Sequence, residues 1–473
     1  MSVSPNTAAD SASAAPVAAV LGGGFSGLSA ALRLSLRGIP VRLWERHGRL
    51  GGMNSWYERG GLVLDTGLHA LTNFVGPQER SAPMNRVLRQ LRIRREELEL
   101  LPAQQAAIRF PGHELILRND FTDLARQIRE QFPRDAAGFE ALSQEVLRRG
   151  YAPEEEDGLT ANGLLERHLS SPELREMLRF PVMFYGNPSP DDMSAGAYAT
   201  MFRSVLMEGL CRPRGGIHPL LDLLERHLKD QGAELRLGQG VRQLLLDDQG
   251  ALRALVTDRG EEIPCTRAIS TLGARETVAL LPPGAHTTLT QAPEGEMCFL
   301  EAIFQLPCTP AELGFPHAVL FLNGGERFRY APPAALDALP ESMLVCAPGN
   351  YGEEGPEARL LRLSAITPCR IWEELPPSEY SRQKACMVSR LREALRREYP
   401  ALADALAPLD AFTPKTIRRF TGHANGAIYG SPRKFPLGAT GIPGLLLAGT
   451  DQGLLGILGS MLSGILMANA LPE

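Results

Sequence analysis

The chain has 473 residues, of which 44% are hydrophobic and 22% charged, and its net charge is −5. These values are ordinary for a globular protein, and without a basic cluster that carries interleaved aromatic residues they argue against nucleic-acid binding. The seven cysteines are scattered and form no C-x-x-C pair, so the sequence predicts neither a metal site nor a disulfide framework. At roughly 100–200 residues per domain, the length allows about three domains.

The first 15 residues are rich in Ser, Ala and Pro. They have no basic start and no apolar core, which are the marks of a signal peptide. This composition predicts a disordered tail over 1–15.

A glycine fingerprint follows the first predicted strand. Residues 16–21 form a short apolar run that is typical of a buried parallel strand, and Gly22, Gly24 and Gly27 then give G-x-G-x-x-G. In such a turn the glycines allow the bend, the approach of a pyrophosphate and the close packing of the next helix. Glu45 stands 18 residues after Gly27, at the end of a predicted second strand, where a carboxylate accepts hydrogen bonds from a ribose.

Two more motifs follow Glu45. Residues 45–52 read E-R-x-x-x-x-G-G, and a strand then enters the D-x-G turn at 65–67. With these motifs the chain resembles the flavin amine oxidase and phytoene desaturase superfamily. The resemblance implies an FAD cofactor bound in a discontinuous, Rossmann-like domain of the glutathione-reductase type.

The middle of the chain, 210–290, predicts further parts of that domain. A helix with leucines on one face begins at Pro219, and strands are predicted at 233–237 and 267–271. Between them, 242–257 has the pattern of a hairpin around D-D-Q-G. The resemblance implies that Val241 contacts the adenine.

The C-terminal piece, 412–473, completes the resemblance. A predicted strand at 444–448 leads into Asp451, and an apolar run follows at 454–471. The run holds three glycines and follows an acidic turn, so we predict a buried helix rather than a membrane span. Because no cysteine follows Cys386, the attachment seen in some amine oxidases is not expected, and the FAD is predicted to be non-covalent.

The predicted organisation is therefore an α/β fold. The FAD-binding domain combines 16–80, 210–290 and 412–473, and an α+β substrate domain is inserted as 81–209 and 291–411. The first insertion is helical in pattern, and its Met and aromatic residues at 161–207 fit either a plain core or a greasy substrate tunnel. The cofactor contacts implied by the resemblance are Gly22, Gly24, Phe25, Ser26, Gly27, Glu45, Arg46, Gly51, Gly52, Met53, Leu68, His69, Val241, Gly449, Asp451, Gly459, Ser460 and Met461.

Residues 418–431 bear on the chemistry. This segment places His423 and Tyr429 among glycines and small residues just before the flavin strand. It resembles the G-x-x-Y-G segment of the carotenoid desaturase, carotenoid isomerase and retinol saturase branch, which implies contact with the reacting bonds of the substrate. Because His titrates near neutral pH, His69 and His423 are candidate catalytic acid/base or cation-stabilising groups, and Tyr429 is the third catalytic candidate.

The resulting hypothesis is an FAD-dependent desaturase of a phytoene-like or squalene-derived C30 isoprenoid, with hydride transfer to flavin N5. Carotenoid isomerase, retinol saturase-like and hydroxysqualene dehydroxylase-like enzymes are alternatives on the same fold. A flavin amine oxidase and a non-catalytic prenyl-binding escort protein are further alternatives. The expected partners are a long hydrophobic substrate, an electron acceptor such as O2 or a quinone, and a membrane surface, with a cytoplasmic location at the inner face of that membrane.

Overall fold

The computed structural model describes residues 17–151, 158–336 and 339–472, so the tail predicted at 1–15 lies outside the described residues. In chain order, the strands are β1 (Ala18–Leu21), β2 (Val41–Glu45), β3 (Trp56–Arg59), β4 (Leu62–Asp65), β5 (Leu100–Pro102), β6 (Ala106–Phe110), β7 (His113–Leu117), β8 (Cys211–Pro213), β9 (Glu234–Leu237), β10 (Val241–Leu246), β11 (Leu252–Thr257), β12 (Glu262–Pro264), β13 (Ala268–Ser270), β14 (Cys298–Gln305), β15 (Val319–Asn323), β16 (Ser342–Cys346), β17 (Leu360–Thr367), β18 (Ala407–Phe412) and β19 (Leu445–Leu447). The α-helices are α1 (Phe25–Leu36), α2 (Pro83–Gln90), α3 (Phe121–Gln131), α4 (Ala136–Arg149), α5 (Ala161–His168), α6 (Pro172–Gly186), α7 (Ala195–Phe202), α8 (His218–Asp230), α9 (Ala274–Val278), α10 (Cys369–Glu374), α11 (Pro377–Arg396), α12 (Pro400–Ala405), α13 (Pro414–Thr421) and α14 (Gly456–Ala470).

The first domain is built on a parallel sheet with the strand order β9-β2-β1-β13-β19. Its central strand is apolar along its whole length and fully buried, because α1, α8 and α14 pack on one face of the sheet and the strands β10 to β12 pack on the other. Strands β1 and β2 precede residue 80, β9 and β13 come from the middle of the chain, and β19 comes from the C-terminal piece. The predicted α/β class, with a discontinuous Rossmann-like domain, is confirmed.

Helices α1 and α14 pack together beneath this sheet. A Cβ atom at Gly464 would lie 2.0 Å from the carbonyl oxygen of Ser26, so only glycine allows this approach. Across the same contact, the Ser29 hydroxyl donates to the carbonyl oxygen of Met461 at 2.8 Å. The run at 454–471 therefore contains a buried 15-residue helix, as predicted. Among the described residues, no helix is both long and apolar enough to cross a membrane.

An antiparallel meander, β10-β11-β12, packs on the face of the parallel sheet opposite α1 and α14. Strands β10 and β11 pair with each other, which confirms the hairpin predicted around D-D-Q-G. Helix α2 also belongs to this domain, because Met84, Val87 and Leu88 join the core that α1, α8 and α14 share. The packed core of the first domain thus continues past residue 80.

The second domain is an α+β unit around a seven-stranded mixed sheet, in the order β18-β14-β17-β16-β15-β6-β7. Helices α3 to α7 share a core with one face of this sheet, and α11 and α12 share a core with the other face. Most Met and aromatic residues of 161–207 are plain core, since Met177, Phe180, Met183 and Phe202 are fully buried. One face of this sheet, formed by residues within β14, β16 and β17, lines the cavity described next.

Candidate active site

A cavity of about 1130 Å³ lies where the two domains meet. On the first domain it is bounded by residues at the carboxyl ends of β1, β2 and β19, the edge at which open parallel sheets bind ligands. On the second domain it is bounded by residues of β14, β16 and β17 and by the end of α6. The volume exceeds the roughly 300–1000 Å³ that is typical of small-molecule sites. The cavity is therefore large enough for more than one ligand-sized group.

The turn from β1 into α1 is tight because its glycines have no side chains. A Cβ atom on Gly22 would lie 2.5 Å from Thr271 Oγ1, and a Cβ atom on Gly27 would lie 1.9 Å from the carbonyl oxygen of Gly22. Gly22 also adopts a φ of 102°, which glycine tolerates readily. Helix α1 then begins at Phe25 without a side-chain cap or an acidic residue in its first turn, which leaves N–H groups at its start for an anion.

Glu45 fixes the next wall of the cavity. Its carboxylate accepts from Gly23 N at 2.7 Å and from His47 N at 2.8 Å, so it ties the glycine turn to the end of β2. The side chain lines the cavity although only 7% of the residue is exposed. The acidic residue thus stands where the fingerprint places a ribose.

The structure brings most of the implied cofactor residues to this one cavity. Those that line it are Gly22, Gly24, Phe25, Ser26, Glu45, Arg46, Gly51, Gly52, Met53, His69, Val241, Gly449 and Ser460. Those that lie outside its lining are Gly27, Leu68, Asp451, Gly459 and Met461.

Asp451 lies outside the cavity lining because its carboxylate is hydrogen-bonded to the backbone of neighbouring segments. Its carboxylate accepts from Ala274 N at 2.7 Å and from Ser431 N at 2.8 Å. These bonds join the turn after β19 to two other segments of the chain. In this arrangement Asp451 holds the wall together from behind.

The lining fits a dinucleotide such as FAD. Ser26 Oγ and Trp44 Nε1 are buried and have no protein partner, although both residues border the cavity. Buried polar atoms without partners cost about 1–3 kcal/mol, so a ligand that bonds them is favoured. Helix α14, like α1, begins at the cavity without a side-chain cap or an acidic first turn. Two helix N-termini and two unpaired polar atoms are suited to an anionic, hydrogen-bonding cofactor.

One part of the cavity wall, the apolar arm, is formed by Phe184, Phe299, Leu344, Ile428 and Tyr429. Phe184 packs on Phe299 with ring centroids 5.1 Å apart, and Phe299 lies 6.3 Å from Tyr429. Leu344 and Ile428 border the same region. This arm is suited to a hydrocarbon and offers little to a charged ligand.

The loop at 423–431 lies against this aromatic arm. His423 and Tyr429 both border the cavity. His423 Nδ1 is 3.1 Å from the Ala427 carbonyl oxygen, and the Tyr429 hydroxyl donates to the Phe184 carbonyl oxygen. Burial raises the pKa of Tyr429, so this phenol stays protonated. Lys434 Nζ donates to the Tyr429 carbonyl oxygen at 2.6 Å, which fixes the loop from its other side.

A buried ionic cluster, which sequence reasoning missed, lies at the junction of the two domains. Glu301 on β14 accepts from Arg362 Nε at 3.0 Å and from the Ser364 hydroxyl at 3.0 Å, and it lies 2.7 Å from His69 Nε2. Burial raises the pKa of Glu301. Arg362 and His69 lower the pKa by more than burial raises it, so the carboxylate is ionised. His69, Glu301 and Ser364 border the cavity, and Arg362 lies behind them.

The cluster continues into the first domain. Arg362 Nη2 donates to the Asp65 carbonyl oxygen at 2.7 Å, and the Asp65 carboxylate pairs with Arg212. Arg212 also donates to the Leu68 carbonyl oxygen at 3.3 Å, which fixes the turn just before His69. The D-x-G turn is therefore anchored by arginines from two distant segments, on β8 and β17.

A polar region lies at another part of the cavity wall. Asp410 accepts from the Tyr57 hydroxyl at 2.9 Å and lies 3.1 Å from Arg59 Nη1 and 4.0 Å from Lys384 Nζ. All four residues border the cavity, and Arg59 is half exposed. This group adds a charged segment to the cavity wall.

Comparison with known proteins identifies relatives over nearly the whole chain. The family described as flavin containing amine oxidoreductase matches residues 25–472. The prolycopene isomerase of Arabidopsis thaliana is 21% identical over 90% of this chain and 76% of its own. The phytoene dehydrogenase of Streptomyces griseus is 30% identical over 57% of each chain, so that match spans little more than half of either protein.

Solved structures share the fold at lower identity. An oxidoreductase from Methanosarcina mazei superposes with a TM-score of 0.69 at 16% identity, over 96% of this chain and 100% of its own. Cyclohexylamine oxidase from Brevibacterium oxydans superposes with a TM-score of 0.59 at 15% identity, over 97% and 98% of the two chains. At such identities the likeness shows a shared architecture.

Proposed function

Because the chain belongs to the flavin-containing amine oxidoreductase family and is an FAD-dependent oxidoreductase, we propose that it desaturates a long isoprenoid hydrocarbon. The substrate class is a phytoene-like or squalene-derived C30 carotenoid precursor. Relatives named as phytoene dehydrogenase, phytoene desaturase and 4,4'-diaponeurosporene oxygenase support this class.

The apolar arm of the cavity is the observation that carries the proposal. Its aromatic and aliphatic side chains meet the cofactor-binding residues in one continuous cavity. A polyene in this arm buries its surface at about 25 cal/mol per Å², which is enough to hold a ligand without charges or hydrogen bonds. The cavity thus brings hydrocarbon and cofactor together.

The protein's own residues then perform three tasks. The glycine turn, Glu45 and the start of α14 would hold the cofactor, and Phe184, Phe299 and Tyr429 would exclude water from the reacting bonds. When bound, FAD would supply the acceptor for a hydride, which carries the two electrons of the broken C–H bond. A desaturation also releases one proton from the carbon next to the hydride donor, and His69 and His423 border the cavity as candidate acceptors.

One alternative is an isomerase that makes no net change in oxidation state. The observation in its favour is the match to prolycopene isomerase along 90% of this chain. Amine oxidation is less favoured, because the acid in this part of the cavity, Glu301, is already paired with Arg362 and offers no free charge to an ammonium group.

The electron acceptor and the surroundings belong to the same proposal. We expect O2 or a quinone to reoxidise the cofactor, and a substrate of this kind partitions into lipid. We therefore expect the protein to work at the cytoplasmic face of a membrane, and co-sedimentation with liposomes tests that expectation.

Absorption spectroscopy tests the proposed function directly. Purified protein is mixed anaerobically with phytoene, and separately with a C30 precursor, each in liposomes. Bleaching of the flavin band together with new polyene absorbance supports desaturation. Conversion of a cis-polyene without bleaching supports the isomerase, and bleaching by amines alone refutes the hydrocarbon proposal.

A further inference from the structure

The contacts around His69 differ sharply between its two ring nitrogens. Nε2 lies 2.7 Å from Glu301 Oε2 and 3.1 Å from Ser364 Oγ. Among the described residues, no hydrogen bond reaches Nδ1. The ring is therefore held at one nitrogen and open at the other, on the wall of the cavity.

The hydrogen bonds of Glu301 decide which nitrogen carries the proton. Arg362 donates to Oε1, while the Ser364 hydroxyl donates to Oε2 at 3.0 Å. An ionised carboxylate only accepts hydrogen bonds, so the contact from His69 must be an Nε2–H donor. In the neutral ring this leaves Nδ1 as the unprotonated nitrogen.

The backbone of His69 is fixed as well. Its carbonyl oxygen accepts from the Tyr351 hydroxyl at 3.2 Å and from the Cys346 thiol at 3.5 Å. Arg212 holds the preceding residue through the carbonyl oxygen of Leu68. These contacts fix the backbone from which the imidazole projects, and the Nε2 contacts fix the ring itself.

We propose that His69 Nδ1 accepts the proton released by the substrate and that Glu301 is the positioning residue that fixes the Nε2–H tautomer. The inference rests on the proposed function and deepens it. One C–H bond gives a hydride to the flavin, the neighbouring C–H bond gives its proton to Nδ1, and the electron pair left behind forms the new C=C bond. Glu301 then faces an imidazolium, whose positive charge its carboxylate stabilises without taking up the proton.

Arg362 has a supporting part in this arrangement. Without a cation beside it, a buried carboxylate takes up a proton and becomes a donor as well as an acceptor. Arg362, which is 3% exposed, keeps Glu301 ionised and thereby keeps the direction of its hydrogen bond to His69.

The first test is independent of substrate. In 15N-histidine-labelled, flavin-loaded protein, the signals of His69 are assigned by their loss in H69N. We expect the Nε2–H form in the wild type and a mixture of tautomers in E301Q, whose amide both donates and accepts. An unchanged tautomer in E301Q overturns the positioning role.

The second test measures the rate of anaerobic flavin reduction by the substrate that bleaches the wild type. We expect E301Q to slow it about 100-fold, within the range for loss of acid/base catalysis. Because Glu301 acts through His69, the double variant E301Q/H69N should be no slower than H69N. An additional 100-fold loss in the double variant contradicts the proposal.

E301D guards against a folding defect in E301Q. It keeps a charge for Arg362 but shortens the reach to His69, so we expect normal flavin content with slowed reduction. If no polyene bleaches the wild type while the tautomer still responds to E301Q, the desaturase proposal fails and the positioning role stands. If bleaching occurs and the tautomer does not respond, the reverse holds.

Discussion

The buried ion pair between Arg362 and Glu301 allows a sharp prediction about stability. We consider R362M, which keeps an unbranched side chain of similar length but leaves Glu301 without its cation. Arg362 makes three hydrogen bonds, two to Glu301 and one to the Asp65 carbonyl oxygen of the other domain. Breaking a buried pair by removing one partner costs about 3–5 kcal/mol. At roughly 2 °C per kcal/mol for a large domain, Tm should fall by about 6–10 °C.

The double variant E301L/R362M separates the pair from the packing around it. Replacing both members of a buried pair with apolar side chains is often neutral, so we expect this variant to recover most of the Tm that R362M loses. R129M is the matched control, because Arg129 pairs with Glu140 at 2.8 Å while both side chains are largely exposed. Exposed pairs contribute about 0–1 kcal/mol, and its Tm should barely change.

The effect of pH has a definite sign. In the wild type the pKa of Glu301 lies below its ordinary value, so the pair contributes stability at neutral pH that is lost as pH falls. R362M lacks that contribution, and its Glu301 takes up a proton. The wild-type contribution is complete above the ordinary pKa of 4.5 and is lost as pH falls below that value, so the gap in Tm between the two proteins should narrow from pH 5 to pH 3, as measured by scanning calorimetry of flavin-loaded protein. A constant gap, or a double variant as unstable as R362M, would falsify the reasoning.

Three further predictions concern single positions. Burial lowers the pKa of His317 from 6.5 to about 4, so protonating this residue in the folded protein costs about 3 kcal/mol. The stability of the wild type, measured by thermal unfolding, should therefore fall more steeply than that of H317Q as pH is lowered from 6.5 to 4. The Tyr429 hydroxyl already donates to Phe184, so Y429F should reduce its flavin within threefold of the wild-type rate, and a 100-fold loss would show that the phenol takes part in the chemistry. G464A places a methyl group 2.0 Å from a backbone oxygen of helix α1, so we expect a loss of about 1–3 kcal/mol and weaker flavin retention on gel filtration. G324A is the control, because its methyl group would lie 3.7 Å from the nearest atom and outside the cavity, and it should retain flavin normally.

The first domain was predictable because its constraints are local in sequence. Gly27 sits in a turn where a Cβ atom would lie 1.9 Å from the carbonyl oxygen of Gly22, and the strand that precedes the turn is uniformly apolar. The spacing from Gly27 to Glu45 spans one helix and one strand, so it fixes where the carboxylate emerges. Such features survive in a single sequence because each residue is chosen by its immediate neighbours.

The residues around His69 were not predictable, for the opposite reason. Glu301 and Arg362 are 61 residues apart in the sequence. They meet because β14 and β17 are paired, with Glu301 opposite Ser364 and therefore diagonal to Arg362. Nothing in the local pattern of either strand marks it as charged and functional. The sequence pattern also places Asp451 at the cofactor, whereas its carboxylate bonds backbone N–H groups behind the wall. Local patterns identify the turn, and tertiary contacts decide where the side chain points.

An ionised carboxylate beside a hydrocarbon cavity calls for an explanation in its own right. Glu301 is 7% exposed, and burying a charge is costly unless it is paired and hydrogen-bonded. Arg362 alone would satisfy its charge, yet one oxygen is directed to His69 and Ser364 at the cavity wall. A purely structural pair has no need of that second oxygen at the cavity, whereas an imidazole that accepts a proton in an apolar site needs a fixed negative partner. Oε1 of Glu301 pairs with Arg362, and Oε2 contacts His69 and Ser364 at the cavity wall. This separation favours a chemical role for Glu301 over a purely structural one.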